Sequence, residues 1–409
     1  MLDLTTIGHT CSVGDGTHSK ILRQESGVLY LTSRNFKDGR LDLNSVYYIS
    51  EADYERHFGG ASKALSKPEA EDLVFSIIGT LGEPYLVRST DRFGLSSSVA
   101  IVRPNRTVLD PHFLLYWSKG PMFQSALFGI RGGVAQGYVS LEMLRSLPAP
   151  CLPLPMQRRI AGILSAYDEL MENSQRRIRI LEAMARALYC EWFVHFRFPG
   201  HEKLPRVGSP LGDIPIGWEL KRVPECVQVN PRVVVPRDGE KPFVPMGCLS
   251  NDSMLITDIE SREGNSGAKF QNGDTLFARI TPCLENGKTG FVQFLPDAQP
   301  VAFGSTEFIV LRSRTLTPEF VYCLARSDEF RGVAIKSMSG ATGRQRVQEQ
   351  CFDDFQITEP PRELLDRFSG IVAPSFRFIY KLHLQIENLR RTRDLLLPRL
   401  LSGNCSVSV

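Results

Sequence analysis

The chain carries one half of itself twice. Sliding it by 208 positions places Val139 on Val347, Leu144 on Phe352, Leu147 on Phe355, Pro153 on Pro361 and Ile160 on Phe368. The register then holds without a gap, with Ile178 on Ile386, Leu181 on Leu389 and Leu188 on Leu396. Upstream the loops differ in length but the runs still match. EDLVFSIIGTLG around Asp72 resembles GDTLFARITPCLENG around Asp274, SSSVAIVRP resembles STEFIVLRS, and PHFLLYW resembles PEFVYCL. A period this long means duplicated domains, since stacked solenoid repeats run about 20–50 residues. Any fold must therefore have two similar halves, each a variable segment leading into a helix. With 409 residues and 42% apolar content, the chain can fill two or three packed cores.

The helices are legible from spacing. Ile160, Leu164, Tyr167, Met171, Ser174, Ile178, Leu181, Ala185 and Leu188 alternate steps of four and three, the signature of a coiled-coil seam. Phe368, Val372, Ser375, Ile379, Leu382, Ile386, Leu389, Arg393 and Leu396 repeat it, although Pro374 predicts a kink or a helix start. A helix of about 32 residues is ~48 Å long and cannot leave its apolar stripe uncovered. Its natural partner is its own duplicate, packed antiparallel because each helix leads away from its own globular half. Pairing is expected through Ile160, Leu164, Ile178, Leu181 and Leu188 on one helix, and Ile379, Leu382, Ile386, Leu389 and Leu396 on the other. A helix lying on its own domain is the plainer alternative.

The segments before each helix contain short apolar runs: GVLYLTS, LVFSIIG and VAIVRP, then FVPMGCL, DTLFARI and EFIVLRS, parted by Gly, Asn, Asp and Pro. These read as strands. The fold class is α/β in the α+β sense: two globular domains separated by a pair of long antiparallel coiled-coil helices, with pseudo-twofold internal repetition. The expected boundaries are residues 1–150 for the first domain, 151–197 for the central helix and 198–218 for a Pro- and Gly-rich linker. Residues 219–360 form the second domain, 361–403 the second helix and 404–409 a tail.

Several function classes are excluded. No apolar run reaches the roughly 20 residues of a spanning helix, and MLDLTTIGHT lacks the regions of a signal peptide, so a cytoplasmic location without membrane is expected. The nine Cys are never spaced C-x-x-C and read as reduced, small hydrophobes. GKT at Gly287 has Pro282 where a phosphate loop needs its first Gly, and GDGTH at Gly14 lacks the third glycine of a dinucleotide fingerprint with no evident strand before it. The seven His show no H-E-x-x-H, so no metal site is expected, and Glu219-Leu220-Lys221 lacks the upstream Pro-Asp of a nuclease. No catalytic constellation remains.

Binding is better supplied, although a net charge of +3 means that any anion-binding surface must come from local clustering. GATGRQR, from Gly340, joins flexible glycines to Arg344, Gln345 and Arg346, side chains that fork onto base edges or phosphates. Its counterpart IRGGVAQGY supplies Arg131, Gln136 and Tyr138. A second candidate, ARITPCLENGKTG, crowds Arg279, Asn286 and Lys288 about a turn, unless Arg279 pairs with Asp274 inside the fold. SRNFKDGR offers Arg34, Lys37 and Arg40, with a solvated hairpin as the plainer reading.

The run LPLPMQRRIAGILSAYDELMENSQRRIRILEAMARALYCEWFVHFRFPGHE, followed by SPLGDIPIGWELKRV, resembles the central region of the specificity subunits of type I restriction-modification systems. ARITPCLENGKTG resembles a recurrent element of their target recognition domains. The resemblance implies a non-catalytic subunit that binds double-stranded DNA, each recognition domain reading one half of a bipartite, asymmetric site while the paired helices set the unread spacer. It also implies two methyltransferase subunits as partners, using S-adenosylmethionine, and motor-endonuclease subunits using ATP and Mg, with no cofactor in this chain. The alternative is a freestanding structural or regulatory DNA-binding protein with the same bipartite layout.

Overall fold

The computed structural model describes residues 3–37, 39–59, 65–79, 81–130, 137–341 and 343–402. It divides into two units, Met1–Met171 with Asn388–Val409, and Glu172–Glu387.

In the first unit Val99–Pro104 lies between Cys11–Asp15 and Leu73–Ser76 in an antiparallel sheet closed at one edge by Pro84–Leu86. Alternate side chains of these strands enter different cores, which is why both faces of Val99–Val102 and Leu73–Phe75 are apolar. Ala100, Val102, Leu73 and Phe75 pack with Phe113, Leu114 and Trp117, whereas Val99, Ile101 and Val74 pack with Leu31, Phe36 and Phe93. A second sheet holds Tyr47–Ile49, Val28–Leu31 and Phe93–Leu95, the last two parallel. GDGTH belongs to this scaffold, and a strand does hold its first glycine. A Cβ on Gly14 would lie 2.0 Å from the Leu65 carbonyl oxygen, so the glycine permits close chain approach.

The second unit repeats the plan. Phe308–Ser313 lies between Val227–Val229 and Thr275–Ala278, with Thr289–Phe291 at the edge, all antiparallel. Beside it Lys241–Val244 pairs with Glu260–Arg262 and, in parallel, with Val301–Gly304, which also pairs with Ala268–Gln271. The run FVPMGCL is a strand only to Val244; Pro245, which cannot donate to a ladder, hands it to a 3-10 turn at Met246–Cys248.

The repetition reaches single residues. Asp72 takes two hydrogen bonds from Arg103, at 2.9 and 2.8 Å, and Asp274 takes two from Arg312, both at 2.7 Å. The residue before each aspartate is left-handed, Glu71 at φ 70° and Gly273 at φ 89°. Each unit then starts a helix with proline in its first turn, Pro111–Lys119 capped by Asp110 and Pro318–Arg326 capped by Thr317.

The central helix, Leu154–Tyr189, and the carboxy-terminal helix, Arg362–Leu401, each contribute a segment to both units. In the first unit Ile160 and Leu164 share a core with Leu396, Leu397 and Leu400, and Arg393 donates to Asp168 at 2.5 Å. In the second unit the Arg177 guanidinium lies 4.9 Å from the Phe378 ring and Trp192 meets Phe368 at 6.2 Å. In each unit rising numbers on one segment meet falling numbers on the other, so the segments run antiparallel.

The buried stripe departs from the heptad reading. After Ile178 it passes through Glu182, Ala185 and Tyr189, while Leu181 and Leu188 are only partly buried. A straight helix turns every 3.6 residues, so a strict heptad drifts by ~20° per repeat. In the second helix Ile379, Leu382 and Ile386 are buried, Leu389 and Leu396 partly so, and Phe376 replaces Ser375 in the stripe. Pro374 neither breaks nor restarts this helix, which runs through it from Arg362. The proline is exposed, so its ring and missing donor fall on the solvent side, where helix hydrogen bonds stretch most readily.

The Pro- and Gly-rich stretch 198–218 is folded rather than a bare connection. It forms the hairpin Arg206–Ser209 with Gly212–Pro215 and buries Phe198 and Trp218. Phe193 is the hub of that cluster, 4.8 Å from Phe320, 4.9 Å from Phe368 and 6.0 Å from Trp218 between ring centres. The aromatic run CEWFVHFRFPGHE thus ties the end of the central helix into the second unit.

Candidate nucleic-acid interface

In both units the chain leaving the inner strand pairs with the loop that returns toward the long helix. Val139 N–H donates to Ile77 O at 3.0 Å, and Val347 N–H to Arg279 O at 2.8 Å. Ile78 bridges to Tyr138 and Ile280 bridges to Arg346. Tyr138 and Arg346 are therefore the same position of one duplicated junction, and Ile77 and Arg279 are another. One backbone arrangement thus carries different side chains in the two units.

In the second unit this junction gathers the predicted residues Arg279, Gln345 and Arg346. Arg346 is half-exposed and ion-pairs with Glu307 at 2.6 Å, which holds the Glu307 carboxyl below its usual range. Arg279 does not pair with Asp274, whose oxygens are taken by Arg312. It reaches Glu349 at 2.8 Å and the Val347 carbonyl at 3.3 Å. Gln345 donates its backbone N–H to Thr281 Oγ1 at 3.0 Å, leaving the amide side chain to project from a fixed backbone. Arg344 is exposed and has no side-chain partner among the described residues. Lys288 is turned inward to the Met246 carbonyl at 3.0 Å, and Asn286 is exposed on the adjoining turn.

In the first unit Arg34 sits on the 3-10 turn Ser33–Asn35, and Lys37 faces Arg40 across a two-stranded ribbon. All three are exposed. A Cβ on Gly79 would lie 3.8 Å from Ser33 Oγ, so the turn bearing Arg34 adjoins the junction, where Tyr138 is 48% exposed. Arg131 and Gln136 lie outside the described residues, as does the tail 404–409.

Some polar groups that the sequence did not single out hold the loops around residues 251–254 and 286–289. Glu182 of the central helix accepts from Ser253 Oγ at 2.7 Å and from Met254 N–H at 2.8 Å, and burial pushes its carboxyl up. Arg326 donates to the carbonyls of Asn251, Ser253, Gly287 and Thr289, clamping the turn that carries Asn286 and Lys288. Two grooves, of about 600 and 560 Å³, also flank Pro231 and Arg232. The signal for them was PRVVVPR, an arginine at each end of an apolar run.

Among the described residues no three His, Cys, Asp or Glu side chains are placed to hold a metal ion, and no helix is long and apolar enough to cross a membrane. The eight described cysteines are unpaired. Lys221 of the Glu219-Leu220-Lys221 triplet is held between Glu219 and Glu359, a strand-pairing role. What the junctions offer is donors, guanidinium and amide groups matched to phosphate oxygens and purine edges.

No protein-family model matches the chain. It is similar to the type I restriction enzyme MjaIX specificity subunit of Methanocaldococcus jannaschii, 25% identical over 72% of this chain and 69% of that protein. The HindI specificity subunit of Haemophilus influenzae is 20% identical over 84% of this chain and 88% of its own length. The EcoEI specificity subunit of Escherichia coli is 30% identical, but the match covers 39% of this chain and only 27% of that protein. Among solved structures, a type I restriction-modification S subunit from M. genitalium superposes over 98% of this chain and 96% of its own, with a TM-score of 0.58 at 15% identity.

Proposed function

The chain belongs to the specificity subunits of type I restriction enzymes, and from that premise we propose that its two units each read one half of a bipartite DNA site. The observation that carries this reading is the duplicated junction: one backbone arrangement, built twice, bearing Tyr138 in one copy and Arg346 in the other. Identical readers would recognise a palindrome; these recognise an asymmetric site. Each junction presents its donors to the major groove, whose base edges distinguish all four pairs. The antiparallel helical segments set the number of unread base pairs between the half-sites and dock two methyltransferase subunits. The subunit itself is non-catalytic. S-adenosylmethionine belongs to the methyltransferase partners, and ATP and Mg to the motor-endonuclease subunits.

The test is selection of bound duplexes from a random pool by the chain co-purified with its methyltransferase partner. Enrichment of two short, different motifs at fixed spacing is expected. Enrichment of the same motif by the isolated chain, which also fails to bind the partner, would favour a freestanding DNA-binding protein instead.

A further inference from the structure

Beyond the junction, the second unit has a feature that its internal contacts do not explain. The first groove has an apolar floor at Phe308 and Val310, one wall from residues 230–234 and another carrying Lys269 and Thr306. The second groove shares Pro231 and Arg232 with it and continues along Val227–Val229 to Arg314. Arg232, Lys269 and Arg314 have no side-chain partner among the described residues, unlike Arg279 and Arg312 beside them, which are ion-paired. In a chain with 48 basic against 45 acidic residues, three unpaired cations in succession along two contiguous grooves are a local excess. Among the described residues Asp353 is the only acid lining either groove.

The wall between the grooves is held in place. Asn230, left-handed at φ 48°, receives Val310 N–H on its Oδ1 at 2.9 Å and donates Nδ2 to Glu349 at 2.7 Å. Glu349 is also the acceptor for Arg279, so the wall and the junction share one carboxylate. At the tip Val234 is 90% exposed, an apolar side chain with no packing role. The first groove also reaches Thr306, next to the Glu307 that pairs with Arg346. The cationic stripe is thus continuous with the surface already read as base-contacting.

We propose that Arg314, Arg232 and Lys269 track the phosphate backbone of the half-site read by this unit, with Val234 lying against a deoxyribose face between them. The assignment rests on the reading of the chain as a specificity subunit. Phosphate contacts position a reader without carrying sequence information, so this stripe sets register for the Arg344–Arg346 loop. Two guanidinium groups, one ammonium and one exposed apolar tip suit a polyanionic duplex better than a small ligand, since the grooves are open.

The experiment uses the chain in complex with its methyltransferase partner and a short duplex bearing its methylation site. Dissociation constants are measured from 50 to 200 mM salt for the wild type, for Arg232→Gln/Lys269→Gln/Arg314→Gln, and for Val234→Asp. Each phosphate contact contributes about 0.9 to the slope of log K against log salt, so the triple variant is expected to lose about 2.7 from it with unchanged base preference. Val234→Asp, at a position too exposed to affect folding, is expected to weaken binding at least tenfold. A triple variant with wild-type slope, or Val234→Asp with wild-type affinity, overturns the groove assignment. A wild-type complex that binds the duplex bearing its methylation site no better than an unrelated duplex overturns the underlying reading instead.

Discussion

Asp274 lies 1% exposed beneath the sheet of the second unit and is clasped by Arg312, whose Nε and Nη2 each donate at 2.7 Å. Asp72 and Arg103 make the same clasp in the first unit. Burial raises the Asp274 carboxyl more than the guanidinium lowers it, so the pair is held by geometry and hydrogen bonding against a desolvation cost. Arg312→Met is therefore expected to cost about 3–5 kcal/mol at pH 7, because it leaves a buried charge without its partner. A raised folded-state pKa means that this group's contribution is complete below its unfolded value and lost as pH rises. The variant should accordingly recover part of the deficit between pH 7 and pH 5. Denaturant unfolding at the two pH values checks both.

Glu182 offers a gain in stability. Its carboxyl is buried and pushed up by desolvation, although Met254 N–H and Ser253 Oγ donate to it. Glu182→Gln keeps an acceptor for both donors and removes the buried charge. The wild-type carboxylate's contribution is complete below its unfolded value and declines as pH rises through the folded one. The variant should therefore be more stable at pH 8, with the difference closing toward pH 5. A lower melting temperature at pH 8 would show that the charge itself holds the 253–254 loop.

Ile178 sits 5% exposed in the stripe of the central helix. Ile178→Asp puts an unpaired carboxylate there and should cost about 3 kcal/mol or more. Leu188→Asp, at a partly buried position off the drifted stripe, should cost clearly less. Equal losses in thermal melts would restore the strict heptad register.

The duplication, the strand runs and the long helices were all legible in the sequence because each is a pattern of apolar residues repeated at fixed spacing. Even the Asp–Arg clasp had a trace: EDLVF aligns with GDTLF and VAIVRP with FIVLRS, so both members recur in register. What was not legible depends on which neighbour wins a competition in space. Arg279 pairs with Glu349, 70 positions away, because Arg312 already fills both oxygens of Asp274. Lys288 turns to a backbone carbonyl and not outward. Leu181 and Leu188 fall beside the buried stripe because an α-helix with 3.6 residues per turn drifts away from a 3.5-residue repeat. Arg393 was evident as a polar residue in the seam, but its partner Asp168 was not, since that aspartate lies one position off the seam of its own helix.

The junction loop separates two arginines that the sequence treats alike. Arg344 has no side-chain partner among the described residues, whereas Arg346 is held by Glu307. Arg344→Ala should relax one position of one half-site by about 1–3 kcal/mol, the worth of a bidentate base contact. Glu307→Gln should release Arg346 and broaden the preference at a neighbouring position without loss of affinity. Competition binding with single-base variants of the site measures both, and unchanged discrimination in Arg344→Ala would remove that residue from the reading surface.

The central claim is that this chain supplies the sequence choice of a DNA-modifying complex, and the methylome of cells expressing it with its methyltransferase partner tests that most directly. Compared with cells carrying the partner alone, the account predicts methyladenine at one bipartite, asymmetric motif of fixed spacing that appears only when the chain is present. Methylation that is identical with and without the chain, both proteins being soluble and associated, would contradict it.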